Sequence, residues 1–170
     1  MSAVLDGWFA VLTFATALGC GLIAGVFFTF STFVMPTLGR LPVPQGIAAM
    51  QSINVAAITP SFMAALFGTG LACAILIGGS LMTWSRPGGV YVVLGGLIYL
   101  VGTILVTIVA NVPRNDALAA VDPATAEAAT LWASYLTSWT VWNHVRSATA
   151  FAAAALLTVA LCLSRVGGNG

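Results

Sequence analysis

The chain has 170 residues, of which 60% are apolar and only 5% are charged. A soluble domain carries about 25% charged residues, so this composition, with a mean hydropathy of +1.06, excludes a solvated globular domain and predicts an integral membrane protein. A net charge of +1 without a basic cluster also excludes nucleic acid as a partner.

The spacing of the charged residues predicts four membrane spans. Long uncharged stretches of 33, 45, 27 and 18 residues separate them, and a bilayer core needs about 20 apolar residues per helix. We therefore expect an all-α, four-helix membrane bundle that forms one domain over 1–170. The predicted spans cover about 7–35, 60–83, 90–110 and 143–164. Polar loop regions at 36–59 and 111–142 then share one face, opposite both termini.

Span one is expected to begin at the N-cap Asp6 and to end at Pro36. Small residues recur along it at every fourth position and predict a face for close helix packing, within the chain or between copies in a homo-oligomer. This stripe consists of Ala17, Gly21, Gly25 and Thr29.

The connection after span one contains a pattern typical of a short interfacial helix. Pro44 suits its first turn, and Ile47, Met50 and Asn54 fall on one side of it. Asn54 is thereby a candidate polar residue of the loop face.

Spans two and three are predicted to form an uncharged hairpin. Thr59 is the expected N-cap of span two and Pro60 its first helical residue. A tight turn at 84–89 leads into span three. Neither span contains the ionisable midplane group that carriers and pumps use, which argues against those classes.

The last helix is predicted to be unusually long. Asp122 as N-cap, Pro123 in the first position and Glu127 in the first turns mark its start. No Pro or Gly follows until Gly167, so one helix could run from 123 to 164. At 1.5 Å per residue it would be about 63 Å long, twice a bilayer core, so its first half must protrude, lie along the surface or bend.

This helix carries an aromatic stripe that ends in a cation. Its members step by 3, 4, 3 and 4 residues and share a sector of about 80°; they are Trp132, Tyr135, Trp139, Trp142 and Arg146. Asn143 adjoins the sector. An aromatic belt at the membrane interface is one interpretation; the lining of a binding site is the other.

Arg146 is followed by 18 uncharged residues, which places its guanidinium inside the apolar stretch. An unpaired arginine there costs at least about 2.5 kcal/mol. Either the side chain reaches up to the lipid headgroups, or it points inward. In the second case we expect Asp116 or Glu127 as its ion-pair partner, with Asn115 or Asn143 bonded to it, so that it can hold a ligand oxyanion.

His144 is the single histidine, and an imidazole is a common proton acceptor near neutral pH. On a continuous helix it points about 150° away from the centre of the stripe. One histidine predicts no metal site and no haem. The isolated cysteines Cys20, Cys73 and Cys162 indicate packing residues and exclude a redox pair.

Four segments of the sequence carry a resemblance to a known family. They are GLIAGVFFTFSTF at 21–33 with VMP at 34–36, MQSIN at 50–54, NVPRNDAL at 111–118 and WTVWNHVR at 139–146. On these segments the chain resembles the anthrone oxygenase-like family of small four-span membrane proteins over nearly its whole length. The functional residues that the resemblance implies are Asn111, Asn115, Trp142, Asn143, His144 and Arg146.

The resemblance implies an oxygenase that needs no cofactor, uses O₂ as co-substrate and converts an anthrone to an anthraquinone. Arg146, Asn143 and Asn115 would stabilise an enolate, Asp116 or His144 would accept a proton, and the aromatic stripe would stack on the rings. The expected partners are membrane lipid and a hydrophobic aromatic small molecule. The alternative is a non-enzymatic protein that binds a lipid, a quinone or a partner protein at the same residues.

We predict a multi-pass protein of a bacterial plasma membrane with both termini in the cytoplasm, because Arg86 lies in the short hairpin on the terminal side. A green fluorescent protein fused after Gly170 should fluoresce, and alkaline phosphatase fused there should be inactive. Active phosphatase at Gly170 would reverse the orientation.

Overall fold

The computed structural model describes residues 3–83 and 88–166, and the side chains of 7–83 and 88–164. The predicted N-cap at Asp6, the turn containing Arg86 and the charge of Arg165 lie outside the described side chains. The described chain consists of five helices, and four of them are long and apolar enough to cross a membrane. The predicted all-α membrane bundle with a short helix between spans one and two is confirmed.

We number the helices α1 to α5 in chain order. Helix α1 covers 3–38 and includes a π-helical segment at Phe30–Val34. Helix α4 runs over Gly89–Ala119 and includes π-helical segments at Leu100–Leu105 and Thr107–Asn111. The remaining helices are α2 (Val43–Ala56), α3 (Pro60–Met82) and α5 (Ala126–Val166).

The four long helices pack in a ring, in which α1 contacts α3, α3 contacts α4, and α5 lies against both α4 and α1. Their common core is a cluster of small and apolar side chains that includes Cys20, Cys73 and Leu157, all fully buried. The Tyr99 hydroxyl donates to the Leu66 carbonyl at 3.1 Å. All four long helices therefore contribute side chains to the common core.

Two helices continue through prolines that were expected to end or follow them. Helix α1 passes through Pro36 to Leu38, and α4 passes through Asn111 and Pro113 to Ala119. A proline in a helix removes one hydrogen bond and its ring crowds the carbonyl four residues earlier. A π-helical segment ends two residues before each proline, and its wider turn makes room for the ring.

The first half of α5 extends the bundle instead of standing alone. It is one continuous helix of 41 residues, about 62 Å long. Its early residues Ala128, Trp132 and Tyr135 are buried in a second cluster, formed with the ends of α1 and α4 and with α2. The first half of α5 therefore packs against α1, α2 and α4 in this second cluster.

The start of α5 differs from the prediction at Asp122 and Pro123. The helix begins at Ala126, and the cap is Thr125, whose Oγ1 accepts from the Ala128 N–H at 3.1 Å. Asp122 instead closes the preceding turn by accepting from the Ala124 N–H at 3.0 Å. Asp122 and Thr125 can both cap a helix. Asp122 caps the turn before the helix, and Thr125 caps α5 itself.

Helix α2 covers one side of the second cluster. Ile47 and Met50 are fully buried, as the predicted one-sided pattern requires. Gln51 Nε2 donates to the carbonyls of Leu118 at 2.8 Å and Val121 at 3.1 Å, which ties α2 to the end of α4. The predicted cap of α3 is confirmed by the Phe62 N–H, which donates to Thr59 Oγ1 at 3.3 Å.

The small-residue stripe of α1 points mostly away from the rest of the chain. Gly21 and Gly25 are exposed, with no atom near an added Cβ, and only Ala17 of the stripe is buried. Close helix approach occurs elsewhere: a Cβ on Gly102 of α4 would collide with the Thr149 side chain of α5.

Replacing Gly102 by Ala should destabilise the protein, because the added methyl overpacks the contact between α4 and α5. We expect a loss of about 1–3 kcal/mol, measured by thermal or denaturant unfolding in detergent. Gly21→Ala is the matched control and should not destabilise the protein, because its added Cβ meets no other atom and Ala is favoured over Gly in a helix by up to about 1 kcal/mol. Equal effects of the two variants would contradict the close approach.

Candidate functional site

A cavity of about 400 Å³ opens between all five helices, where the common core meets the second cluster. Most of its wall is apolar and aromatic. Its aromatic lining residues are Phe27, Phe30, Phe62, Phe67 and Trp139. Its polar and charged lining residues are Gln51, Asn54, Thr107, Asn115, Asp116 and Arg146. An apolar cavity with a few converging polar groups is the usual form of a small-molecule site.

Arg146 brings a buried cation to this wall and is only 5% exposed. Its Nη2 donates to Asn143 Oδ1 at 2.6 Å, and its Nη1 donates to Thr107 Oγ1 at 3.3 Å. The guanidinium carbon lies 4.1 Å from the ring centre of Phe27 and 5.2 Å from that of Trp139. These contacts show an inward orientation, so Arg146 does not reach up to the headgroups.

The expected ion pair of Arg146 is not formed. Within the described side chains no carboxylate lies in salt-bridge range of the guanidinium, and Arg146 Nε is buried without a hydrogen-bond partner. Asp116 is exposed at the cavity edge, and Glu127 is exposed near the start of α5. Aromatic faces and neutral oxygens therefore take the place of an acid, which leaves the positive charge available to a ligand.

Asn143 anchors Arg146 to α1. It is fully buried, and its Nδ2 donates to the Phe27 carbonyl and to Ser31 Oγ, both at 2.6 Å. Ser31 belongs to the π-helical segment of α1, and π turns are frequent at functional sites. Because both ends of the Asn143 amide are bonded, the guanidinium is held in one place.

The aromatic stripe packs behind and beside the cavity. Trp132 stacks on Tyr135 with ring centres 5.6 Å apart, and Tyr135 on Trp139 at 6.1 Å. Asn115 Oδ1 accepts from the Tyr135 hydroxyl and from Trp139 Nε1, both at 2.8 Å. Asn111 Nδ2 donates to the Trp139 carbonyl at 3.2 Å. Only Trp139 of the three rings lines the cavity; the other two support it.

Trp142 and His144 lie outside this arrangement. Trp142 is 38% exposed, His144 is exposed, and neither lines the cavity. Since α5 is continuous, the helical angle that directs His144 away from the stripe holds. Trp132, Tyr135 and Trp139 are buried and so do not face lipid as the side chains of an interfacial belt would, whereas Trp142 is partly exposed.

The cavity edge combines a carboxylate with exposed apolar residues. Asp116 on α4 is the acidic lining residue. Val55 and Ile58, which are 75% and 73% exposed, and Phe67 of α3 line the same cavity. Apolar molecules can therefore reach the cavity past side chains that favour lipid over water.

Sequence reasoning did not identify several lining residues. Phe27 and Phe30 lie in the segment 21–33 that carries the family resemblance, but the other two aromatics of that segment, Phe28 and Phe33, are exposed. Gln51 lies in the segment 50–54 that carries the family resemblance but was not singled out there, and Thr107 lies in none of the four segments. Within the described residues no three His, Cys, Asp or Glu side chains come together as a metal site.

Comparison with known families gives a match over more than half of the chain. The family model described as anthrone oxygenase matches residues 59–156, which include Asn111, Asn115, Asn143 and Arg146. The matched segment spans α3, α4 and most of α5. Comparison with curated proteins and with solved structures finds no match.

Asn143→Ala should destabilise the protein, because it leaves one N–H of Arg146 and the Phe27 carbonyl without their buried partner. Hydrogen bonds to charged groups contribute about 1.5–3 kcal/mol, and we expect a loss of that size in unfolding experiments in detergent. The adjacent exposed His144→Ala should stay within about 0.5 kcal/mol of the wild type. A stable Asn143→Ala protein would show that the network does not hold the bundle.

Proposed function

Since the chain belongs to the anthrone oxygenase family, we propose that it oxidises a flat polyketide or quinol-like substrate with O₂ in the cavity, without a cofactor. The observation that supports this most directly is Arg146, a buried cation with no acidic partner on the wall of an apolar cavity. The cavity volume of about 400 Å³ lies within the range of small-molecule sites.

The walls suit a planar, fused aromatic substrate. Phe27, Phe30 and Trp139 present rings from α1 and α5, and Phe30 and Trp139 are tilted at 53° with centres 6.0 Å apart. Such rings bind an aromatic molecule by offset or edge-to-face contacts. The apolar surroundings also exclude water, which strengthens the interaction between Arg146 and a developing negative charge.

In the first step of the proposed reaction, Asp116 accepts a proton from the methylene carbon of an anthrone. The resulting carbanion is delocalised through the rings onto the ketone oxygen, where it becomes a phenolate-like oxyanion. Arg146 stabilises that oxyanion, while Asn143 and Thr107 hold the guanidinium in place. Deprotonation is the step that the cavity has to assist, because it creates the electron-rich species that reacts with O₂.

In the second step the carbanion transfers one electron to O₂, and the radical pair combines to form a carbon–oxygen bond. The peroxide takes up the proton held by Asp116. Loss of the remaining proton on that carbon, with cleavage of the oxygen–oxygen bond and release of water, gives the new ketone. One anthrone and one O₂ thus yield one anthraquinone and one water, and no external reductant is consumed.

A second candidate function is binding without catalysis. The exposed apolar residues Val55 and Ile58 at the cavity edge favour entry of a membrane lipid or quinone, whose headgroup oxygen Arg146 would hold. In that case Asp116 would tune access and would not take part in proton transfer.

The purified protein should accelerate the aerobic conversion of an anthrone to its anthraquinone, with one ¹⁸O atom from ¹⁸O₂ in the product. Arg146→Gln should lower the rate about 10²–10³-fold, the usual cost of removing an oxyanion donor. Asp116→Asn should lower it about 10²–10⁴-fold, because the proton acceptor is lost.

Glu127→Gln is the matched control for Asp116→Asn, since Glu127 is exposed and does not line the cavity. It should retain the wild-type rate, and so should His144→Ala. A wild-type protein that leaves the rate of aerobic oxidation unchanged would exclude this function for anthrones. A loss on His144→Ala equal to that on Asp116→Asn would reassign the base.

A further inference from the structure

The cavity has a side that helix packing does not close, between α3 and the end of α4. Over 89–105, α4 packs against α3, and a Cβ added to Gly70 would lie 3.3 Å from Ile104 Cγ1. In the described part of the chain, no comparable packing joins α3 to 107–119. The separation begins at the two π-helical segments of α4, and helices often bend at such segments. A gap therefore lies between α3 and the last turns of α4.

Side chains from both helices border this gap. Phe67 of α3 and Val112 of α4 are exposed, although both line the cavity. The contact between Gly70 and Ile104 closes the gap at the end nearer the termini. We call the opening between this contact and the pair Phe67 and Val112 the lateral window. The other helix pairs around the cavity stay packed, since α1 contacts α3 and α5, and α5 contacts the end of α4.

The lateral window lies at the depth of the lipid acyl chains. Helix α3, a membrane-span candidate, begins at Pro60, and Phe67 lies two turns further on. At 1.5 Å per residue this is about 10 Å deeper, within a hydrocarbon core of about 30 Å. Asp116 lies one turn beyond Val112, toward the loop face. The window is therefore bordered by apolar side chains, and the carboxylate lies at the aqueous edge of the cavity.

We infer that the ligand enters the cavity from the bilayer through the lateral window, in uncharged form, and not from water past the aqueous edge. An uncharged tricyclic aromatic partitions into acyl chains, whereas an anion arriving from water would meet the negative charge of Asp116. The ligand is then a lipophilic compound dissolved in the membrane, and its oxyanion forms only beside Arg146. This inference rests on the proposed function for the presence of a ligand in the cavity, but it requires binding only and no turnover.

A reversible block of the window tests this route. Val112→Cys in a Cys162→Ser background carries its exposed thiol at the window, because Cys20 and Cys73 are buried. Benzyl methanethiosulfonate adds a ring to that thiol, and dithiothreitol removes it. The probe is tritiated 9,10-anthraquinone, which is uncharged and has no oxidisable methylene group. Scintillation proximity on the full chain in nanodiscs, with empty nanodiscs subtracted, measures its association and dissociation rates.

With the ring in place, both rates should fall about tenfold or more while the dissociation constant stays within about twofold, because a barrier on the path slows entry and exit equally. Dithiothreitol should restore both rates. Phe67→Cys, on the opposite border of the window, should respond in the same way. Each variant is compared with itself before modification, so a folding defect cannot imitate a block.

Two further cysteine variants in the same background are the controls. Val109→Cys is exposed on α4 outside the cavity wall and should not respond to the reagent. Ala119→Cys lies on the aqueous edge, at the exposed end of α4, and lines the cavity. It should not respond either if the probe enters from the bilayer.

Unchanged rates in the modified Val112→Cys and Phe67→Cys proteins would overturn the inference. Slowing by modified Ala119→Cys alone would also overturn it, since the probe would then enter from water. So would a weaker affinity at an unchanged association rate, or a wild type without saturable binding of the probe. If anthrone oxidation fails but the window variants respond, only the proposed reaction is lost, and the reverse outcome removes only the route.

Discussion

The interior of this bundle is organised around one buried positive charge that no acid neutralises. Arg146 must be satisfied inside an apolar structure, and the protein does so with the faces of Phe27 and Trp139 and with neutral oxygens of Asn143 and Thr107. Each partner belongs to α1, α4 or α5, so the charge joins three helices. Replacing this set by a carboxylate would stabilise the cation but would also consume its capacity to bind an anion.

The cavity lies between the two buried clusters of the bundle and is lined by residues of both. Helices α1 and α4 continue through Pro36 and Pro113 by way of π turns, and the first half of α5 packs antiparallel to their extensions. Their extensions, closed by α2, form a second buried cluster above the first. In the space between the two clusters a side chain can be buried inside the bundle and still line the cavity. Arg146 and Asn54 lie there.

Much of the fold and part of the site followed from sequence patterns with a direct physical cause. The four spans came from charge spacing, the α3 cap at Thr59 from proline chemistry, and the outward direction of His144 from the helical angle. The ends of α1 and α4 could not be predicted, since a π turn before a proline has no sequence signature of its own. The absence of an ion pair at Arg146 could not be predicted either, because it depends on where α4 places Asp116 relative to α5.

By itself the sequence determined that the chain is a four-span, all-helical membrane protein, that one long helix carries a stripe of aromatics ending in Arg146, and that its motifs resemble one family. Those properties depend on hydropathy and helical periodicity, which are local along the chain. Only the tertiary structure decided that Trp139 faces the cavity while Trp142 faces outward, and that Asn143 binds α1. It also decided that α2 brings Asn54 to the same space, because these relations depend on how separate helices rotate and slide against one another when they pack.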